Sequence, residues 1–214
     1  VADITTDDVT TVIDGITAPS SATHTFVAAR TLFNWLVRRR HISSSPMQGL
    51  ELPHRAVARD RVLTEEELVA VWNAATSDLG DLVHLLILTG QRVGQFTALR
   101  GSWIDREKHL ITWPPEAMKS NRPHNIPYAD GVKEIIERRY RDGFMFTGQN
   151  PEKPFTNFSM AKRRYDLDCQ IPAWTLHDLR RTFATHNAVW TPPHVLERIL
   201  AHSSGQISGV AAIY

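Results

Sequence analysis

The chain has 214 residues, 42% of them hydrophobic, which is long enough for one large domain or two modest ones with a buried core. A membrane span needs roughly 18 consecutive apolar residues, and neither such a stretch nor a signal-peptide pattern is present. The single cysteine, Cys169, excludes an internal disulfide and a cysteine-rich zinc site, while the net charge of +1 argues only weakly for a polyanionic partner, so we expect a cytoplasmic protein without membrane contact.

The first 50 or so residues are predicted to form a small helical domain. Apolar residues recur at helical spacing from Val9 to Ile16 and again from Phe26 to Val37. Ser43–Pro46 breaks this pattern, and residues 54–61 have no apolar periodicity, as is typical of an exposed linker. We therefore predict one domain over residues 1–53, a linker over residues 54–61 and a second domain over residues 62–214.

The second domain is predicted to begin with helices. Thr64 and Glu67 have the spacing of a capping box, and the helix that follows buries a face of Leu68, Val71, Trp72 and Ala75. A further helix over Asp81–Thr89 ends at Gly90, and a short one over Val93–Leu99 follows it. Arg92 lies at the corner between these two helices.

A small antiparallel sheet is predicted next. Short strands separated by polar turns are indicated at Trp103–Asp105, Leu110–Trp113 and His124–Tyr128, and Lys119 falls in the turn before the third strand. From Gly131 onward the apolar spacing is again helical. The predicted fold is therefore mainly α with a small antiparallel β-sheet, an α+β domain.

One of the later helices carries polar residues that suit an anion. Thr175 and Asp178 cap a helix on which His177 and Arg180 are three residues apart, so both side chains project from one face and can bind the same anion. A DNA phosphodiester gains negative charge when an oxygen attacks it, and fixed cations are needed where that charge develops. Taken alone, such a pair is more often a surface feature.

Four segments resemble, in order, the motifs of tyrosine site-specific recombinases of the phage integrase family. They are Leu-Thr-Gly-Gln-Arg-Val-Gly at 88–94, Thr-Leu-His-Asp-Leu-Arg-Arg at 175–181, Leu-Ala-His-Ser-Ser-Gly at 200–205 and Ile-Ser-Gly-Val-Ala-Ala-Ile-Tyr at 207–214. The resemblance implies the integrase catalytic fold over residues 62–214, preceded by part of a helical core-binding domain. Many family members have an acidic residue where this chain has Gln95, so we expect a local hydrogen-bond role there and an arginine that is held less firmly.

The resemblance implies a catalytic set that consists of Arg92, Lys119, His177, Arg180, His202 and the nucleophile Tyr214. Tyr214 would form a 3′-phosphotyrosine link, and Lys119 would give a proton to the departing 5′ oxygen. No metal or nucleotide cofactor is implied, and no carboxylate cluster with the spacing of two-metal nucleases occurs. Such an enzyme would perform site-specific DNA recombination or integration, as prophage integrases do.

The expected partner is duplex DNA at a specific attachment or recombination site, bound by a homotetramer in the nucleoid, with accessory DNA-bending proteins as a further possibility. Several clustered arginines are candidates for DNA contacts: Arg38, Arg39, Arg40, Arg122, Arg163, Arg164 and Arg181. Two alternatives stay open, a type IB topoisomerase and a sequence-specific DNA-binding module without catalysis. We also expect a truncated chain, since it begins at Val1 and stops at the nucleophile.

Overall fold

A computed structural model describes residues 3–54, 60–75, 78–156 and 158–201. The chain divides into two compact units, residues 1–59 and residues 60–214. No helix in the described ranges is both long enough and apolar enough to cross a membrane.

The N-terminal unit is built on two helices, α1 (Thr6–Asp14) and α2 (Pro19–Arg38). α1 begins with a capping box, in which Thr5 Oγ1 accepts the N–H of Asp8 at 3.2 Å and the Asp8 carboxylate accepts the N–H of Thr5 at 2.9 Å. Val12 is 62% exposed despite its helical spacing, because α2 covers only one side of α1. The core of this unit consists of Val9, Ile13, Phe26, Phe33, Leu36 and Met47.

The second unit has seven α-helices among its described residues. They are α3 (Glu65–Asn73), α4 (Asp78–Thr89), α5 (Val93–Thr97), α6 (Asp130–Arg139), α7 (Phe158–Cys169), α8 (Leu176–Asn187) and α9 (Pro193–Ile199). α4 packs against α8 and also contacts α3, α5 and α6. Its side chains at 82, 83, 85 and 86 are at most 1% exposed, so α4 is the central helix of this unit.

Three short strands form an antiparallel sheet in the order β1 (Ile104–Asp105), β2 (Leu110–Trp113) and β3 (His124–Pro127). Trp113 on β2 pairs with His124 on β3, and residues 111 and 126 pair two positions further along. Because side chains alternate between the faces of a strand, these four lie on the buried face. The predicted mainly helical fold with a small antiparallel sheet is confirmed.

The sequence predicted the start of α3 correctly, but it did not predict the exposure of Trp72. The Thr64 and Glu67 capping box is present, with Thr64 N–H donating to Glu67 Oε2 at 2.9 Å and Glu67 N–H to Thr64 Oγ1 at 3.3 Å. Trp72, expected on the buried face, is 36% exposed. It stacks on His84 of α4 instead, with ring centroids 3.8 Å apart. The expectation for Trp72 was wrong because its ring lies at the edge of the core, where it packs on the polar ring of His84 and stays partly in contact with solvent.

The end of α4 approaches α8 more closely than a side chain would allow. Gly90 follows α4 with φ +64°, the left-handed region that favours glycine. A Cβ at this position would lie 2.4 Å from Cδ1 of Phe183 on α8 and 3.0 Å from Cδ2 of Leu200 after α9. Gly90 therefore lets the ends of α4 and α9 meet the middle of α8.

Replacing Gly90 with alanine should destabilise the second unit. The left-handed backbone alone costs about 1–2 kcal/mol for a residue with a Cβ, and the overlap with the Phe183 ring adds to this cost. Urea unfolding should show a loss of at least about 2 kcal/mol. Gly143→Ala is the matched control, because Gly143 has φ +84° but nothing within 4 Å of its Cβ position. Equal losses for the two variants would contradict a packing role for Gly90.

Candidate active site

Arg180 is the most buried cation of the candidate site. The capping box of α8, in which Thr175 N–H donates to Asp178 Oδ2 at 2.8 Å, fixes the first turn, and Arg180 lies one turn further on. Its side chain is only 4% exposed, and it donates from Nη1 to the carbonyl of Gly90 at 2.9 Å and from Nη2 to the carbonyl of Leu200. Burial, with a contribution from the positive charge of Arg92, lowers the pKa of Arg180 to about 10, which leaves it charged at pH 7.

Arg92 occupies the corner between α4 and α5. Its backbone N–H donates to Oε1 of Gln95 at 2.9 Å, which is the local hydrogen bond expected for Gln95. Its half-buried guanidinium donates from Nη1 to the carbonyl of Ala201 at 3.5 Å, the outer limit of a hydrogen bond. Two guanidiniums therefore converge on the peptide carbonyls that follow α9.

His177 is brought to the same place. It lies in the first turn of α8, three residues before Arg180 and on the same face. Its ring is exposed at one side, and partial desolvation lowers its pKa, as do the guanidiniums of Arg181, Arg180 and Arg92, while the carboxylate of Asp178 opposes the shift. At pH 7 the ring is neutral, so one of its nitrogens can accept a proton or a hydrogen bond.

Two buried polar residues at this site escaped sequence analysis. Gln91, 1% exposed, donates from Nε2 to the carbonyls of Thr89 at 3.1 Å and Ile199 at 2.7 Å. His124, 7% exposed, lies with Nε2 3.1 Å from Gln91 Oε1. Burial lowers the pKa of His124, as do the charges of Arg180 and Arg92, although a hydrogen bond to the backbone of Ile199 opposes the shift.

The remaining candidates lie at the surface. Lys119 is an exposed side chain in the connection between β2 and β3, as predicted, and Arg122 follows it. Arg122 lines a polar cavity together with His124, Glu197 and Ala201. Arg181 is half-buried and bonded to Oδ1 of Asp178 at 2.6 Å. The other candidates for DNA contacts are exposed, at the end of α2 (Arg38, Arg39 and Arg40) and on α7 (Arg163 and Arg164).

The structure thus brings Arg92, His177 and Arg180 together, whereas His202 and Tyr214 lie outside the described residues. The chain leads directly from Ala201 into His202. Among the residues that are described, no group of three His, Cys, Asp or Glu side chains could hold a metal ion. What the described cluster offers is two guanidiniums and a neutral imidazole, a set that suits an anion such as phosphate.

Comparison with known families and proteins agrees with this chemistry. A family model described as the phage integrase family matches residues 61–212. Prophage integrase IntZ of Escherichia coli strain K12 is 28% identical over 98% of this chain and 56% of its own length. The integrase of Escherichia phage P2 is 25% identical over 86% of this chain and 52% of its own. The chain therefore spans about half the length of these two relatives.

Solved structures share the fold at lower sequence identity. A lambda integrase tetramer bound to a Holliday junction has a TM-score of 0.74 and 19% identity, covering 98% of this chain and 67% of that one. The Tn1549 transposon integrase in complex with circular intermediate DNA has a TM-score of 0.66 and 17% identity, covering 94% of this chain and 78% of that one. At these identities the likeness concerns the fold.

The buried, neutral His124 should make the stability of the second unit depend on pH. Its pKa lies below the ordinary 6.5 in the folded state, so the unfolded chain binds a proton that the folded chain rejects. The contribution of His124 to the free energy of unfolding is therefore complete above pH 6.5. It is lost as the pH falls below 6.5, at no more than roughly 1.4 kcal/mol per pH unit. Urea unfolding at about pH 7.5 and about pH 5.5 should therefore show a smaller acid loss in His124→Phe than in the unaltered protein. Identical losses would mean that His124 is protonated in the folded state.

Proposed function

Because this chain belongs to the phage integrase family, we propose that it is a tyrosine recombinase that cuts and rejoins duplex DNA through a covalent 3′-phosphotyrosine link to Tyr214. The observation that carries this proposal is the convergence of Arg92 and Arg180 at the end of α9, with His177 near enough for both charges to lower its pKa, and the chain continues from there to His202 and Tyr214. A cluster of this kind matches a phosphodiester under nucleophilic attack.

The two guanidiniums stabilise the phosphate. When the phenol oxygen of Tyr214 attacks the phosphorus, negative charge grows on the two non-bridging oxygens, and fixed N–H donors lower the energy of that state. Arg180 uses one N–H on Gly90 and one on Leu200, and a guanidinium has five, so donors remain for the phosphate. Arg92 can exchange its long hydrogen bond to the carbonyl of Ala201 for a shorter, charge-assisted hydrogen bond to the phosphate.

Protons are handled by the histidines and the lysine. The neutral imidazole of His177 accepts the phenolic proton or donates a hydrogen bond to the phosphate, and His202 has the same capacity. Lys119, in the exposed connection before β3, gives a proton to the departing 5′ oxygen. The broken P–O bond is replaced by the tyrosyl P–O bond, so its energy is kept for rejoining without a nucleotide cofactor.

The N-terminal unit is proposed as a core-binding domain that holds duplex DNA through its exposed basic residues at the end of α2. The lambda integrase structures that share the fold include a tetramer on a Holliday junction and a dimer on a COC′ core site. We extend this to a homotetramer of the present protein on a specific recombination site. Accessory DNA-bending proteins and action within the nucleoid belong to the same proposal.

Tyr214→Phe should abolish the covalent protein–DNA adduct, because phenylalanine has no oxygen to attack the phosphorus. Genomic DNA fragments are incubated with the protein, denatured, and the adducts recovered and sequenced to define the target. A nicked duplex of that sequence then traps the adduct, whose position is mapped by mass spectrometry. Tyr140→Phe, which alters a tyrosine 39% exposed on the same unit, is the control and should leave the adduct unchanged.

An adduct that persists in Tyr214→Phe, or that maps to Tyr140 or Tyr165, contradicts the proposed nucleophile. Joining of the cleaved strand to a second duplex distinguishes recombination from topoisomerase-like relaxation, which reseals the original strand. Binding to the selected duplex without any adduct would instead select a DNA-binding module that lacks catalysis.

Arg92→Ala should slow cleavage of the nicked duplex about 10²-fold or more, the usual effect of removing one donor to a developing charge. The variant should keep the fold, because within the described part of the chain the guanidinium makes one long hydrogen bond, to the carbonyl of Ala201. Arg106→Ala is the control, since Arg106 is paired with Glu137 at the surface of α6. Arg180→Ala is a poorer probe because it also unpairs two carbonyls. A normal cleavage rate in Arg92→Ala would remove Arg92 from the site.

A further inference from the structure

The side chain of Gln91 has a fixed orientation. Its Nε2 lies 3.1 Å from the carbonyl of Thr89 and 2.7 Å from the carbonyl of Ile199, and both of these groups can only accept. The amide nitrogen must face them, so Oε1 faces His124. Since that oxygen can only accept as well, Nε2 of His124 carries the proton and donates it.

His124 is held in this orientation from the other side. Its ring stacks on Trp113, with centroids 5.7 Å apart and planes inclined by 20°. Nε1 of Trp113 donates to the backbone carbonyl of Gln95 at 2.9 Å, and the side chain of Gln95 accepts the backbone N–H of Arg92. His124 therefore contacts the segment around Arg92 on two sides. It bonds to Gln91 directly, and it is linked to Gln95 through the indole of Trp113.

Three consecutive carbonyls at the end of α9 are bound by three side chains. Gln91 binds Ile199, Arg180 binds Leu200, and Arg92 approaches Ala201. The bond from Gln91 is the uncharged one of the three, and His124 supports it by donating to Oε1 of the same amide. Rotation of that amide would present an oxygen to the Ile199 carbonyl and separate the end of α9 from the α4–α5 corner.

We propose that His124 is a positioning residue for DNA cleavage, which holds the end of α9 against the corner that carries Arg92 through Gln91 and through its own hydrogen bond to the backbone of Ile199. This inference rests on the proposed function, since it concerns the same reaction. His124 touches neither the phosphate nor the nucleophile in this role. It sets the spacing between Arg92, Arg180 and the chain that continues to His202.

A purely structural role would need only the shape of the ring. Phenylalanine would fill the same space and stack on Trp113, and it would also avoid burying a polar ring beside two guanidiniums. Glutamine would lose the stack but could return an N–H donor to Gln91 Oε1. The two substitutions therefore separate packing from positioning.

The test compares His124→Phe and His124→Gln with the unaltered protein on a nicked duplex of the sequence recovered in covalent adducts. Adduct formation is followed at saturating DNA, and affinity and thermal stability are measured alongside. We expect His124→Phe to form the adduct about tenfold more slowly, with DNA affinity changed less than about twofold, because one buried hydrogen-bond partner is lost. His124→Gln should recover to within about threefold of the unaltered rate.

His84→Phe is the matched control, because His84 also stacks on a tryptophan, Trp72, and also bonds through Nε2 to an oxygen, the Trp72 carbonyl at 2.9 Å. It should leave the rate unchanged. Gln91→Glu provides a second variant if His124→Phe does not fold, since it keeps the side-chain length but removes the N–H donated to Ile199. We expect it to slow cleavage at least about tenfold.

An unaltered rate in His124→Phe, or in Gln91→Glu where the first does not fold, overturns the positioning role. So does a His124→Gln rate as low as that of His124→Phe, or a loss confined to DNA affinity. Each of these outcomes compares the rate of adduct formation in a variant with the rate in an unaltered protein that does form the adduct. Failure of the unaltered protein itself to form an adduct overturns the proposed function, and the role of His124 with it.

Discussion

The second unit depends on the burial of one guanidinium. Arg180 projects from α8 and binds the carbonyl of Gly90 at the end of α4 and that of Leu200 at the end of α9. A buried charge is tolerated only where its hydrogen-bonding groups are satisfied, and those two carbonyls satisfy two of its donors. Arg180 therefore joins α4, α8 and α9 at one junction. The position of Arg92, two residues after Gly90, depends on this junction. The close packing of Gly90 against Phe183 also requires the end of α4 to lie near α8.

The junction accumulates positive charge, although the whole chain carries only +1. Arg92 is near enough to lower the pKa of Arg180, and both lower the pKa of His177 and of His124. The two guanidiniums therefore repel each other, the carboxylate of Glu197 opposes this effect at Arg180, and a phosphate bound as proposed would relieve the repulsion further. Gln95 contributes to this state, because its amide binds the backbone of Arg92 without supplying a compensating charge. Net charge was a weak guide because attraction of a phosphate depends on local clustering.

What the sequence could predict was set by the distance along the chain between interacting residues. The capping boxes of α3 and α8 span three residues, and the three strands follow an alternation that is visible locally. Gln91 could not be recognised in this way, because its partner Ile199 is 108 positions away. His124 did leave a signal in the sequence. It alternates with Ile126 and the aromatic Tyr128, and this pattern predicts that the polar ring of His124 is buried with them. The family motifs located Arg92 and Arg180 but gave no information about which carbonyls they bind.

The two arginines differ in how firmly they are tied to the fold, and this difference bears on the phosphate binding proposed for them. Arg180 donates to two carbonyls from a buried position, so a substitution there would alter stability together with the proposed phosphate binding. Arg92 is half-buried, and among the described residues its guanidinium has one hydrogen bond, of 3.5 Å, so exchanging that bond for one to a phosphate would cost little. If Arg92 turned to a phosphate as proposed, Ala201 would lose that donor while Ile199 and Leu200 kept theirs.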